Sequence, residues 1–180
     1  MPARARRSDA RDNHALLLAA AKAVFAESGP DAPLDRIARR ARIGNATMYR
    51  HFPSRRELVI AVYADEVASL TSGARLDAAD PGAELFAWLG LFVEHVRDKR
   101  DLALSLTTPA GDHETLFARW HETMHETAAA LVDRAKAAGA VTPDVDPLDV
   151  LLLCTGIALA NAPARTPGLL RLIRRGVSTP

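Results

Sequence analysis

Nowhere in its 180 residues does this chain alternate apolar and polar side chains with a period of two. Its apolar residues return every three or four positions, the spacing of one face of an α-helix. That feature excludes a half-buried sheet and leaves helix packed on helix as the architecture. Glycine and proline then cut the periodic stretches to length. Leu17, Leu18, Ala21, Val24 and Phe25 predict a helix from near Asp12 to Ser28, closed by Gly29 and Pro30. A short helix follows over Pro33–Ala41 and another from Asn45 to His51 or Phe52, stopped by Pro53. Ser54 and Glu57 form a capping box that opens a fourth helix, with Leu58, Ala61, Val62, Val67 and Leu70 along one stripe. Further helices are expected over Ala83–Asp98, Leu102–Leu106, Glu114–Ala138, Pro147–Asn161 and Pro167–Arg175. Pro109 and Gly111 end the Leu102–Leu106 helix. The expectation is an all-α protein of about nine helices. Apolar residues make up 48% of the chain, enough for a packed interior, and aromatics only 5%, which favours helix over sheet.

The formal net charge of +1 conceals a division. Residues 1–60 hold 12 Lys and Arg against 6 Asp and Glu, whereas residues 61–180 hold 11 against 16. A basic front on an acidic body is the pattern of a nucleic-acid binder carrying a second module, although a solvated charged surface gives the same count. Residues 1–11 carry four arginines and no apolar pattern and read as a flexible basic arm. Residues 12–57 read as a DNA-binding domain and 58–180 as a larger helical domain for effector binding and dimerisation.

The first helices meet the requirements of a helix-turn-helix. Ala38 supplies the small residue where two helices cross, Ile43 the apolar residue in the turn, and Met48 and Phe52 the anchors one helical turn apart. The opposite face is then free to enter a major groove. It carries Asn45, Ala46, Thr47, Tyr49 and Arg50, whose groups reach base edges or phosphates.

The run Leu17-Leu18, Ala20-Ala21, Val24-Phe25 and Gly29, then Ile37-Ala38, then Ala46-Thr47-Met48-Tyr49-Arg50-His51-Phe52-Pro53-Ser54, resembles the amino-terminal domain of TetR-family repressors. The likeness covers residues 14–62. It implies DNA contacts for Thr47, Tyr49 and His51, and a phosphate contact for Arg55 at the start of the fourth helix. Asn45, Ala46 and Arg50 would then set sequence preference, with Arg50 either reading guanine or holding a phosphate. The chain departs from the family in two places. Arg42 stands where the turn usually has glycine, so either it bears strain of about 1 kcal/mol at positive φ, or the turn differs slightly and Arg42 adds a phosphate contact. Gly44 stands where the recognition helix usually has a Ser or Thr cap.

Beyond residue 62 no motif is specific. The resemblance implies a pocket, and the candidates for its lining are Trp88, Phe92 and His95, then Leu106 and Thr107, then Phe117, Trp120, His121 and Met124. Plain core packing is the alternative for each aromatic, and a satisfied or half-exposed side chain for each histidine. The Pro147–Asn161 helix is apolar nearly all round, with Leu151, Leu152, Leu153, Thr155, Gly156, Ile157, Ala158 and Ala160. With Leu169, Leu170, Leu172 and Ile173 of the last helix it resembles half of a four-helix dimer interface, rimmed by Arg171, Arg174 and Arg175.

His121-Glu122-Thr123-Met124-His125 matches the H-E-x-x-H pattern of zinc hydrolases. The longer form fails, because Ala128 and Leu131 occupy the positions of its Gly and third His. A regulatory metal site using His121 and His125, with His95 or His113, is the alternative reading. No arrangement of side chains argues for an enzyme, and no cofactor is expected. Cys154 is the single cysteine, which excludes a disulfide within one chain. No signal peptide or membrane span is read, so the expected setting is cytoplasmic. The abundance of Ala and Arg with few Lys points to a GC-rich, bacterial genome. The expected partners are an approximately palindromic double-stranded DNA operator, a second copy of the chain through its last two helices, and a small-molecule effector.

Overall fold

The computed structural model describes the backbone of residues 2–106 and 113–179 and the side chains of 11–103, 105 and 116–179. Among the described residues the regular structure is nine α-helices and one 3-10 turn. In chain order they are α1 (Pro2–Ser28), α2 (Leu34–Ala41), α3 (Asn45–His51), α4 (Arg55–Ser72) and α5 (Pro81–Asp98), then α6 (Arg100–Leu106), α7 (His113–Ala137), α8 (Pro147–Leu159) and α9 (Thr166–Val177). The 3-10 turn, Pro163–Arg165, joins the last two. The expected Leu106 side chain, Thr107, Pro109 and Gly111 lie outside the described residues.

α1 corrects the expected start at Asp12. It begins at Pro2, so the stretch assigned to an arm belongs to the helix from that residue on. Pro2 suits a first helical position, and the alanines and arginines after it are strong helix formers. The other boundaries follow local chemistry. Gly29 takes φ +75° and donates its N–H to the Phe25 carbonyl at 2.9 Å, closing α1. The capping box at α4 is reciprocal: the Glu57 N–H donates to Ser54 Oγ at 3.2 Å, and the Ser54 N–H to Glu57 Oε2 at 3.1 Å. Asp80 caps α5 by accepting from the Ala83 N–H at 2.8 Å, and Asp146 caps α8 by accepting from the Leu148 N–H at 2.7 Å.

The chain forms two compact units. The first, the head, gathers residues up to Asp65 and takes in α6 from Asp101. Its core is Leu17, Ala20, Ala21, Val24 and Phe25 of α1, Ile37 and Ala38 of α2, Met48 of α3, and Phe52, all buried. The head so drawn includes the first part of α4. Leu58, Val59, Val62 and Tyr63 of α4 are buried, and Lys22 Nζ stands 2.5 Å from Asp65. Burial also pushes the Tyr63 hydroxyl above its ordinary pKa.

The second unit, the body, contains α5, α7, α8 and α9, which pack on one another. Leu85, Trp88, Leu89 and Val93 of α5 meet a core completed by Ala128, Leu131, Val132 and Ala135 of α7 and by Val150, Cys154 and Ala158 of α8. Where α5 begins, a Cβ on Gly82 would stand 2.8 Å from the Cβ of Ala140, so glycine is what lets the two segments meet. The loop before α5 is held by buried Glu84. It accepts from Arg75 Nη2 at 2.7 Å, Nε at 3.0 Å and the Arg75 N–H at 3.1 Å, and these bonds hold its pKa below the ordinary value. Cys154 is fully buried, and burial pushes its thiol pKa up to about 12.

Candidate nucleic-acid interface and effector hollow

The turn between α2 and α3 decides how α3 is presented. The Arg42 N–H donates to the Arg39 carbonyl at 3.1 Å, and the Ile43 N–H to Ala38 at 2.9 Å. This pair of bonds is a Schellman closure, and it requires the left-handed conformation at the residue between. Arg42 adopts it, with φ 57° and ψ 35°. The expected strain is therefore present. Ile43 is half-buried rather than fully buried.

Met48 and Phe52 fix α3 by one face, at 1% and 3% exposure, and the other face lies open. Asn45, Ala46, Tyr49 and Arg50 are exposed on it, Tyr49 at 52%, while Thr47 and His51 are half-buried. Arg50 lies along its own helix: Nη2 donates to Thr47 Oγ1 at 2.8 Å and Nε to the Ala46 carbonyl at 3.2 Å. The His51 ring stands edge-on to His14 of α1, 6.1 Å between centroids, and His14 packs on Phe52 at 5.0 Å. Helix α1 thereby supports the end of α3.

Arg55, expected on a phosphate, is engaged within the head by one of its nitrogens. Its Nη1 donates to the carbonyls of Pro30 at 2.8 Å and Ala32 at 2.5 Å, tying the α1–α2 loop to the start of α4. Arg36 and Arg40 are also engaged inside the head, both on Glu27, at 2.8 and 2.6 Å. A good part of the amino-terminal positive charge is therefore structural.

In the body, a hollow of about 400 Å³ opens between α5, α7 and α8. Phe92, Ala118, His121, Glu122, Met124, His125, Leu148, Leu151, Leu152 and Thr155 line it. Of the nine expected lining residues it gathers Phe92, His121 and Met124. Trp88 is not among them. It is 1% exposed, and its indole N–H donates to the Leu70 carbonyl at 3.0 Å, so it is a core residue with its polar atom satisfied. His95 turns to a separate hollow of about 310 Å³ beside Glu66, Leu91 and Lys99. Burial lowers its pKa to about 4, helped by the Lys99 and His121 charges and opposed by Glu66 and Asp98, so it is neutral near pH 7. Phe117 and Trp120 are half-buried and pack edge to face at 5.4 Å, outside the lining.

Reading by sequence missed the α8 wall. Leu148, Leu151, Leu152 and Thr155 recur at helical spacing, but the uniform apolarity of α8 assigned Leu151, Leu152 and Thr155 to contacts with a second chain and left Leu148 without a role. His121 and His125 of the H-E-x-x-H run do share the hollow. His121 Nδ1 is hydrogen-bonded to the Phe117 carbonyl at 2.8 Å, which puts the proton of the neutral ring on Nδ1. Among the described residues no three His, Cys, Asp or Glu side chains gather where they could hold a metal ion. Among the described residues the metal-responsive alternative therefore has no support, and the side chain of His113, one of its expected ligands, lies outside them. No described helix is long and apolar enough to cross a membrane.

The profile of bacterial regulatory proteins of the tetR family matches residues 17–62. That of the SbtR-like transcriptional regulator C-terminal domain matches residues 80–179. A TetR transcriptional regulator from Streptomyces coelicolor is 33% identical and superposes with a TM-score of 0.80, over 92% of this chain and 98% of that one. A TetR transcription regulatory protein from Mycobacterium vanbaalenii is also 33% identical, with a TM-score of 0.79 over 96% of this chain and 99% of its own. No curated protein matches the chain by sequence.

Proposed function

The chain belongs to the TetR family of transcriptional regulators, and from that premise we propose that it is a homodimeric repressor released from a palindromic operator by a small-molecule effector. The observation that carries the DNA half of this reading is the open face of α3, with Asn45, Ala46, Tyr49 and Arg50 exposed opposite buried Met48 and Phe52. Two such faces in a dimer, one helical turn of DNA apart, read two half-sites related by a two-fold axis. Tyr49 and Thr47 serve the phosphate backbone, Asn45 and Ala46 face base edges, and Arg42 and His51 flank them. Arg50 reaches DNA only by leaving Thr47. Arg55 acts by tying the α1–α2 loop to the start of α4, with its remaining nitrogens directed to a phosphate.

The effector occupies the α5–α7–α8 hollow, whose size and mixture of apolar walls with a few polar groups suit a small organic ligand. It acts by binding the DNA-free and DNA-bound states with different affinities, a coupling of about 1–3 kcal/mol. Helix α4, whose residues run from the head into the body, is the element that would carry that preference.

Selection of bound duplexes from a random pool, read by sequencing, tests the proposal. A palindromic consensus is expected, and Asn45→Ala should alter it at defined positions. Tyr49→Ala should weaken every duplex alike. Absence of any enriched sequence, with the protein folded, overturns the reading.

A further inference from the structure

We propose that the effector is a protonated amine carried on an apolar body, its ammonium held by the α7 side of the hollow and its body by the α5 and α8 sides. This rests on the reading of the hollow as the effector site and deepens it by naming the chemical class that the lining selects.

The hollow divides its chemistry between its walls. Helices α5 and α8 give it Phe92, Leu148, Leu151 and Leu152, and α7 adds Met124 to the same apolar surface. Phe92, Met124 and Leu151 are buried, so a ligand meets an apolar floor. Such a floor favours hydrocarbon and penalises any polar atom that it leaves unpaired. The polar lining is concentrated on one helix. His121, Glu122 and His125 all belong to α7, and only Thr155 comes from elsewhere. A ligand that satisfies both kinds of wall is apolar along its length and polar at one end.

The charge and the hydrogen-bonding sense of that end follow from the groups that meet it. Neither lysine nor arginine lines the hollow, and Glu122 is its one carboxylate. Glu122 is exposed, and no described lysine or arginine pairs with it. An ionised carboxylate only accepts hydrogen bonds. His121 has its Nδ1 proton engaged on the Phe117 carbonyl at 2.8 Å, so the neutral ring offers Nε2 as an acceptor. His125 and Thr155 can each donate or accept and select neither sense. The lining therefore has acceptors and a negative charge to satisfy. An ammonium group answers both, because it is positive and all its polar hydrogens donate.

The surroundings act against a carboxylate in the same place. The start of α8, where a helix would otherwise attract an anion, already holds one: the Leu148 N–H donates to Asp146 at 2.7 Å. Asp149 follows in the same turn. An anionic ligand would meet like charge at Glu122 and again beside Leu148. Arg119, the one cation within a turn of Glu122 along α7, is outside the lining. A neutral ligand escapes the repulsion, but it takes water from Glu122 and returns no charge to it.

Three probes of equal chain length test the class. Decylammonium, decanol and decanoate are titrated into the full chain at neutral pH by calorimetry, with the histidine ring resonances followed by NMR. His121 and His125 report the hollow, and His14 and His51 in the head serve as references. Decylammonium should move the His121 and His125 resonances and bind about tenfold more tightly than decanol, with decanoate weaker than either. Glu122→Gln should remove most of the ammonium's advantage over decanol, and Glu122→Lys should transfer the preference to decanoate. Glu122 is exposed on a helix, where glutamine and lysine are both good helix formers, and the reference resonances check that each variant is folded. Decanol or decanoate binding in the hollow as tightly as decylammonium, or a preference indifferent to Glu122→Gln, overturns the class and leaves the hollow as the effector site. Failure of all three probes to move His121 and His125 overturns the effector site and the class with it.

Discussion

Arg42 is where a single residue departs most clearly from what its position favours. At φ 57° its Cβ opposes the backbone, and glycine would occupy the same turn without that conflict. Arg42→Gly should therefore raise unfolding stability by about 1 kcal/mol in a denaturant titration. If the guanidinium also holds a phosphate, the same variant should flatten the salt dependence of DNA binding by about one charge. More stable protein with an unchanged salt slope would leave Arg42 as strain without that return. His95 gives the pH dependence of the fold. Burial lowers its pKa from 6.5 to about 4. Between those values the unfolded chain takes up a proton that the folded chain refuses, so stability falls as pH drops from about 6.5 to about 4 and levels off below. The loss should reach about 3 kcal/mol, and His95→Leu should remove it from the pH profile of denaturant midpoints. Residue chemistry in the head was legible in the sequence because Ile37, Ala38, Met48 and Phe52 announce their roles by spacing alone. The bonds of Arg55 to Pro30 and Ala32 were not, since those carbonyls lie 25 and 23 residues away in the chain.

Among the elements, boundaries set by caps were readable and those set by propensity were not. Ser54 and Glu57 mark α4 by a reciprocal pair of bonds that needs only four residues. Ser54→Ala should cost about 1 kcal/mol of stability in thermal or denaturant unfolding, and Ser54→Asp should recover most of it. An unchanged Ser54→Ala protein would show that water replaces the cap. The start of α1 was missed because alanine and arginine mark no stop. The hollow was missed in part for a different reason. Its wall is built by three helices that are distant in sequence, and a helix apolar on all sides, such as α8, gives no periodicity from which to tell a ligand face from a partner face. Trp88 kept two readings on the same ground: aromatic content is shared by pockets and cores, and its burial and its bond to the Leu70 carbonyl favour the core.

At the scale of the whole molecule, the uneven charge along the chain fitted a solvated surface as well as a DNA-binding front, and the motif over residues 17–62 decided between them. The magnitude of the charge overstated what is offered to DNA, because Lys22, Arg36 and Arg40 pair with acidic residues inside the head. The body contains a different kind of informant in Cys154. Only the thiolate reacts with alkylating reagents, and here it is denied both by enclosure and by a pKa of about 12. Labelling of the native protein should run at least about a thousandfold slower than in denaturant, in proportion to the fraction of time the body stands open. Rapid labelling of the native protein would contradict that enclosure. Because the sequence contains no second cysteine to confuse the signal, the chain carries its own stopwatch. The alkylation half-life at neutral pH, followed as candidate compounds are added one by one, would rank them by how firmly each holds the body shut, with no DNA and no reporter in the tube.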